Sequence, residues 1–306
     1  MSKILPVSCL GSCYYKTSSF ELEHSIRSLF SGEFVPSQVV LVLDGPLPRQ
    51  TIETIDALSA ALPGLTPLAL ETNQGLGLAL SHGLTICEHD IVLRFDTDDL
   101  SLPGRLSAQY SFFLANPDIS CCGSDVLEVF PSESGIKARL KRVPRNGCRV
   151  GSLLRNPLNH PSVAFRKKHI LACGGYRHCS YFEDYYLWIR LIVNGFAIRN
   201  LEGRVLVVMD RPALALRRSG AQYFVSEISF AFKLLLDGSG YFTHAVVAGL
   251  RACLRLAFGS LVTSTPWRSS WRLLHTFVPA LVSRSDYSLI VDRFASCACP
   301  SDVACD

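Results

Sequence analysis

The chain has 306 residues, 48% of them hydrophobic and 18% charged, which is enough apolar material for one large α/β domain with an extension and too much for a disordered chain. Its 30 Lys and Arg exceed its 26 Asp and Glu by four, an excess too small and too scattered to make nucleic acid the main partner. The 12 cysteines show no CxxC pairing and follow no signal-like apolar stretch, so a disulfide scaffold is excluded and reduced thiols in a cytoplasmic setting are expected.

The first hundred residues alternate two periodicities. Residues 4–9 form a short apolar run that predicts a strand. Ser18 and Glu21 stand at capping-box spacing, and Leu22, Ile26, Leu29 and Phe30 follow at helical intervals. Residues 39–43 are a continuous, β-branched-rich run ending at Asp44-Gly45-Pro46. Ile52, Ile55 and Leu58 recur on one helical face, and residues 65–70 predict a third strand. A turn at Asn73-Gln74-Gly75 leads into a short helix carrying Leu76, Ala79, Leu80 and Leu84. Residues 91–95 are a fourth strand that runs straight into Asp96-Thr97-Asp98-Asp99. Strands alternating with helices imply βαβ units, hence a mostly parallel sheet with helices on both faces and ligands beyond the carboxyl ends of the strands. Asp44 and the Asp96 cluster both fall at that edge.

Further on, Pro103 starts a helix with Leu106, Tyr110, Phe113 and Leu114 on one stripe, stopped by Asn116-Pro117. Residues 120–130 read as a strand, 131–146 as a polar, basic loop, 162–165 as a strand, 183–193 as a helix and 205–209 as a late strand. From Arg217 onward helix follows helix. The expected division is a sheet domain over 1–213, a helical extension over 214–294 and a cysteine-containing tail over 295–306. No apolar run reaches the roughly 18 residues a membrane span needs. The nearest, residues 245–262, is broken by Arg251 and Arg255. Leu250, Leu254, Leu256, Ala257 and Leu261 with these arginines, then Trp267 and Trp271 with Arg268 and Arg272, suit two readings. One is a helix lying in the interface of an anionic membrane; the other is an appendage packed on the sheet domain.

Four groups of residues carry chemistry. Asp96, Asp98 and Asp99 repel one another at the end of an apolar strand and call for a neutralising cation. Oxygen-only ligands suit Mg²⁺ or Mn²⁺ with phosphate oxygens completing the shell, and the plainer reading is a solvated turn capping the next helix. An aspartyl-phosphate phosphatase is disfavoured because Leu100 stands where that motif wants Thr or Val. Glu183-Asp184 opens a helix, where acids also serve as caps. Asp184, however, shares a face with Leu187, Trp188 and Leu191, so a partly desolvated base is the competing role. Gly174-Gly175-Tyr176 before it reads as a flexible approach. His160, in Arg155-Asn156-Pro157-Leu158-Asn159-His160-Pro161, is either a ligand contact or a structural histidine. Arg217-Arg218 is either a diphosphate clamp or a solvated helix start.

Together these segments resemble the inverting family 2 glycosyltransferases of the GT-A fold, over roughly residues 4 to 235. The carrying residues are Leu43-Asp44-Gly45-Pro46, Asn73-Gln74-Gly75-Leu76-Gly77, Asp96-Thr97-Asp98-Asp99, Asn156-Pro157-Leu158-Asn159-His160, Gly174-Gly175-Tyr176 and Glu183-Asp184-Tyr185-Tyr186-Leu187-Trp188. Within the family the chain is similar to bacterial exopolysaccharide enzymes of the amylovoran galactosyltransferase type. The resemblance implies a nucleotide-sugar donor, UDP-galactose or another UDP-hexose, and a lipid-linked saccharide or polysaccharide acceptor. It also implies work at the inner face of the cell membrane, in surface polysaccharide synthesis.

By the same resemblance Asp44, Asn73, Gly75 and Asp96 border the donor nucleotide, with Arg217 and Arg218 on its diphosphate. Asp98, with Asp99 assisting, holds Mn²⁺ or Mg²⁺. Asp184 is the general base, and Glu183, His160 and Trp188 position donor or acceptor. Two positions depart from the family pattern: the first strand lacks the usual Pro-hydrophobic-Tyr/Phe-Asn turn, and Gly45 replaces the acid that usually follows Asp44. Two other functions would use the same frame. A catalytically inactive nucleotide-sugar-binding assembly protein would keep the fold, and a nucleotidyltransferase would need a glycine-rich basic loop after the first strand, of which residues 11–16 are a poor version.

Overall fold

The computed structural model describes residues 2–132, 135–144, 148–209 and 221–263. The chain opens with β1 (Lys3–Cys13), α1 (Ser19–Leu29), β2 (Phe34–Leu43), α2 (Arg49–Ala61), β3 (Leu65–Ala69), α3 (Leu76–Ile86) and β4 (Ile91–Arg94). The expected cap is present, with the Glu21 N–H donating to Ser18 Oγ at 3.5 Å. The four strands pair in parallel in the order β3-β2-β1-β4. In β2 the twofold alternation divides the side chains between two cores. Val39 and Leu41 join Leu22, Ile26, Ile55 and Leu58 on one face, while Val40 and Val42 join Ala79, Leu80, Leu84 and Leu187 on the other. Burial on both faces is why the run is continuously apolar.

The second half adds β5 (Leu100–Ser101), α4 (Arg105–Ala115), β6 (Ile119–Ser132), β7 (Gly135–Lys141), α5 (Cys148–Leu154), β8 (Ala164–Arg166), α6 (Lys167–Ala172), α7 (Glu183–Val193) and β9 (Ala197–Met209). The sheet continues from β4 through β8, β6 and β9 to β5, and β7 pairs with β6. Here β6 and β9 are parallel, whereas β4–β8, β6–β8, β6–β7 and β5–β9 are antiparallel. The result is an α/β sheet flanked by helices, parallel in its first half and mixed beyond.

Three expectations need correction. Residues 131–146 do not form a loop throughout: β7 closes an antiparallel hairpin on β6. Two of its basic residues flank Glu128: Arg139 directly opposite donates to it at 2.5 Å, and Lys141 Nζ lies 3.3 Å away on the diagonal. Ile52 and Leu114 are exposed, because the buried stripes run through Thr51-Ile55-Leu58 and Leu106-Gln109-Phe113, one position round each helix. Gly174-Gly175 is pinned rather than flexible. Fully buried Arg190 of α7 donates to the Cys173 carbonyl and, at 2.7 Å, to the Gly175 carbonyl.

The extension consists of α8 (Ala221–Leu236) and α9 (Phe242–Thr263) and is packed on α7. Phe230 has no exposed surface; its ring stacks on Phe182 at 4.9 Å and lies 5.3 Å from Tyr185. As a result α7 is buried on all sides from Tyr185 to Ile192. The boundary near Ala213, Arg217-Arg218, Trp267, Trp271 and the tail cysteines lie outside the described residues. Among the described residues Cys9, Cys13, Cys87, Cys121, Cys122, Cys173 and Cys179 are buried free thiols. Burial pushes Cys9, Cys13, Cys87, Cys122 and Cys179 up to about 12, which leaves these thiols inert.

Candidate active site

The carboxyl ends of β2 and β4 deliver the first two groups. Asp44 is buried, and its carboxylate accepts from the Gln74 N–H at 2.7 Å and the Gly75 N–H at 2.9 Å. Asn73 Nδ2 donates back to the Asp44 carbonyl at 3.0 Å. Gly45 (φ +83°) permits this closure, since a Cβ there would lie 2.5 Å from the Asn73 nitrogen. Asp44 therefore shapes the 73–75 turn, and Gly75 then opens α3.

The acidic turn after β4 is organised from beneath by two arginines. Arg94 has no exposed surface and pairs with Asp96, two residues on and on the same face of the strand. Arg105 is equally buried; it donates to the Arg94 carbonyl at 2.5 Å and to the Pro161 carbonyl at 3.1 Å, and it feels the Asp99 charge. Burial lowers Arg105 only to about 10, so it stays charged. This corrects the expectation that a bound cation must neutralise the whole triplet, because Arg94 already counters Asp96. The arginine inside the apolar run 91–95 was the sequence signal for it: a charge in a strand buried on both faces needs a partner.

Asp98 is half-buried and Asp99 buried beside it. Hard carboxylate oxygens are the donors Mn²⁺ and Mg²⁺ take. Among the described residues no group of three or more His, Cys, Asp or Glu could hold a metal ion. Asp98 and Asp99 are thus of the donor type such an ion takes, without forming an all-protein cage among the described residues.

Glu183 and Asp184 open α7. Asp184 is half-buried; its Oδ2 accepts from Asn156 Nδ2 at 2.6 Å and its Oδ1 from the Tyr185 N–H at 2.7 Å. Asn156 is itself oriented, its Oδ1 accepting from the Leu158 N–H at 3.2 Å. Each carboxylate oxygen of Asp184 keeps lone-pair capacity for a further donor. Glu183 packs against the start of α3, where a Cβ on Gly77 would come within 3.2 Å of its own. Burial, then the neighbouring Asp184 charge, raises Glu183 from 4.5 to about 7, while Arg94 opposes and Asp96 adds to the rise. The acidic turn and the Glu183-Asp184 pair are thus electrostatically in reach of each other.

His160 feels the charges of both Asp184 and Asp96. Its Nε2 is 3.1 Å from Tyr176 Oη, and its ring lies 6.1 Å from that of Trp188. Burial, then Arg94, lowers His160 to about 4, so it is neutral and can accept or donate but carries no charge. Trp188 is fully buried and lies beneath His160 as part of the core.

The Glu183 shift has a measurable consequence. A carboxyl raised from 4.5 to about 7 in the folded chain holds its proton there while the unfolded chain loses it, so stability falls as pH rises through that window. Glu183→Gln is expected to flatten this slope and to melt above the parent at pH 8 by the equivalent of about 1–2 kcal/mol, discounted for partial exposure. Thermal melts of both proteins at pH 5 and pH 8 check it; parallel curves would refute the shift.

Comparison with known proteins agrees with this architecture. The profile described as "Glycosyl transferase family 2" matches residues 15–173, just over half of the chain. The amylovoran biosynthesis glycosyltransferase AmsE of Erwinia amylovora is 35% identical over 255 residues, 81% of this chain and 93% of AmsE. An Escherichia coli UDP-Gal:alpha-D-GlcNAc-diphosphoundecaprenol beta-1,3-galactosyltransferase is 35% identical over 222 residues, 72% of this chain and 80% of that protein. Among solved structures, S. aureus TarS 1-349 in complex with UDP-GlcNAc superposes with a TM-score of 0.62 at 16% identity, covering 87% of this chain and 78% of TarS 1-349. The mannosyltransferase PcManGT from Pyrobaculum calidifontis, in complex with GDP-Man and Mn²⁺, gives 0.58 at 13%, covering 95% and 87%. At those identities the superpositions speak for a shared fold. The chain belongs to glycosyl transferase family 2.

Proposed function

We propose that the protein is an inverting, metal-assisted hexosyltransferase that moves galactose or another hexose from a UDP-sugar to a hydroxyl of a lipid-linked saccharide in surface polysaccharide synthesis. The observation that carries this reading is that Asp184, oriented by the Asn156 amide, and Asp96 of the acidic turn both act electrostatically on His160 and Glu183, in a family 2 chain. Two relatives at 35% identity, one named for amylovoran synthesis and one for UDP-Gal and a diphosphoundecaprenol acceptor, favour that donor and acceptor class.

In this reading the 73–75 turn shaped by Asp44 borders the nucleotide, and Asp96, held by Arg94, meets the ribose. Asp98, with Asp99 behind it, would hold Mn²⁺ or Mg²⁺, whose Lewis acidity stabilises charge on the departing diphosphate. The bond between the anomeric carbon and the diphosphate oxygen breaks as the acceptor oxygen bonds the opposite face. Asp184 takes the acceptor hydroxyl proton during that attack. A second carboxylic acid is unnecessary because the leaving group departs as a diphosphate, unlike the alcohol released in glycoside hydrolysis. His160 lines the acceptor side as a neutral hydrogen-bonding group seated on Trp188.

No helix of the described residues is long and apolar enough to cross a membrane. α9 nevertheless exposes Phe242, Val246, Leu250 and Leu254 along one stripe, and α8 exposes Val225, Phe232 and Leu236. This face would rest on the cytoplasmic leaflet that carries the acceptor. The test supplies UDP-hexoses and Mn²⁺ with a saccharide-diphospholipid in anionic vesicles. Transfer with inverted anomeric configuration, by enzyme that floats with the vesicles, is expected. UDP binding without turnover of any UDP-hexose would instead establish an inactive nucleotide-sugar-binding protein.

A further inference from the structure

The extension grips the segment that precedes Asn156 with two side chains of α9: His244 Nε2 lies 3.2 Å from Ser152 Oγ, and Arg251 makes the wider set of contacts. Glu227 of α8 is fully buried, and Arg251 of α9 is its partner: Nη2 lies 2.6 Å and Nε 3.1 Å from the same Glu227 oxygen. The remaining nitrogen of the guanidinium fork, Nη1, donates to the Leu154 carbonyl at 3.0 Å and to Tyr185 Oη at 3.3 Å. Tyr185 Oη in turn donates to the Ser152 carbonyl at 2.5 Å. The end of α5 is therefore gripped at Ser152 and Leu154. Two residues beyond Leu154 stands Asn156, whose amide bonds Asp184, the residue immediately before Tyr185.

A planar, always-charged fork spans a carboxylate, a carbonyl and a phenol oxygen from separate nitrogens in fixed geometry, whereas a lysine has a single nitrogen for all three. With Glu227 fully buried, the charge on Arg251 is anchored and its Nη1 is held toward Leu154. The 152–156 segment needs such an anchor, since Asn156 must keep its amide within hydrogen-bond reach of Asp184 for the carboxylate to face the acceptor.

We infer that Arg251, held by Glu227, is a positioning residue for the transfer reaction: it fixes the segment that carries Asn156 and through it the orientation of Asp184. The inference rests on Asp184 being the base. It also gives the helical extension a part in the chemistry beyond covering α7.

The test compares Arg251→Met, Asn156→Ala and the double variant by steady-state kinetics, UDP titration and thermal melting. Arg251→Met should lower kcat about tenfold or more, with UDP affinity and donor KM within about twofold of the parent. The double variant should be no slower than Asn156→Ala alone, because both changes remove the same constraint. Arg251→Lys should recover only part of the rate.

Losses that multiply in the double variant would overturn the inference, as would an unchanged kcat or a kcat loss matched by lost UDP affinity. If Arg251→Met does not fold, Arg251→Lys and its combination with Asn156→Ala carry the same two outcomes. A separate assay of Asp184→Asn distinguishes the underlying reading: full activity there removes the base, whereas inactivity there with a fully active Arg251→Met removes only the positioning role.

Discussion

Asp184→Asn should abolish sugar transfer, with kcat down by about 10²–10⁴-fold, while UDP affinity stays within about twofold of the parent. The substitution is close to isosteric, and the new side-chain oxygen can still accept the Asn156 N–H that now lies at 2.6 Å. What is lost is the capacity to take a proton from the attacking hydroxyl. Glu183 is the rival acceptor, since a carboxyl raised to about 7 is well matched to proton transfer near neutrality. Geometry separates the two. Glu183 is packed against the opening of α3, whereas Asp184 is aimed by an oriented amide. Glu183→Gln should therefore cost less in kcat than Asp184→Asn. Progress curves with a UDP-hexose and a soluble acceptor measure both, and the reverse order would exchange the roles.

Asp98→Ala should remove the Mn²⁺-dependent part of UDP binding and lower kcat/KM on the order of 100-fold, the equivalent of about 2.7 kcal/mol. Arg94 pairs with Asp96 inside the acidic turn, so part of its charge is countered without a metal. The variant should therefore fold and melt close to the parent in the absence of metal. Isothermal titration of UDP with and without Mn²⁺ checks this. A variant whose UDP affinity still rises with Mn²⁺ as the parent's does would remove Asp98 from the metal.

The chemistry of this chain is unevenly legible in its sequence. The βαβ alternation of residues 4–95, the buried run 39–42 and the placing of Asp44 and Asp96 just past the ends of β2 and β4 followed from local periodicity. So did the capped helix after Ser18 and the helix opened by Glu183. These features depend on neighbours a few residues apart, and side-chain period and turn chemistry encode them directly.

Contacts between distant segments were not legible in that way. The hairpin over 135–141 looked like a solvated basic loop until Glu128 supplied the partner for Arg139 and Lys141. Arg94 and Arg105 stand inside apolar patterns, and only the folded chain shows them buried beneath the acidic turn. Asn156 was one polar residue in a proline-bracketed segment until α7 brought Asp184 to 2.6 Å. By itself, the order of residues determined the strand-and-helix frame, the acids at its edge and the candidate base. Only the tertiary structure decided which charge pairs with Asp96, which amide bonds Asp184 and how the C-terminal helices grip that amide's segment. The reason is physical: periodicity is a property of nearby residues, whereas the pairing of a buried charge depends on which far segment the packed chain lays beside it.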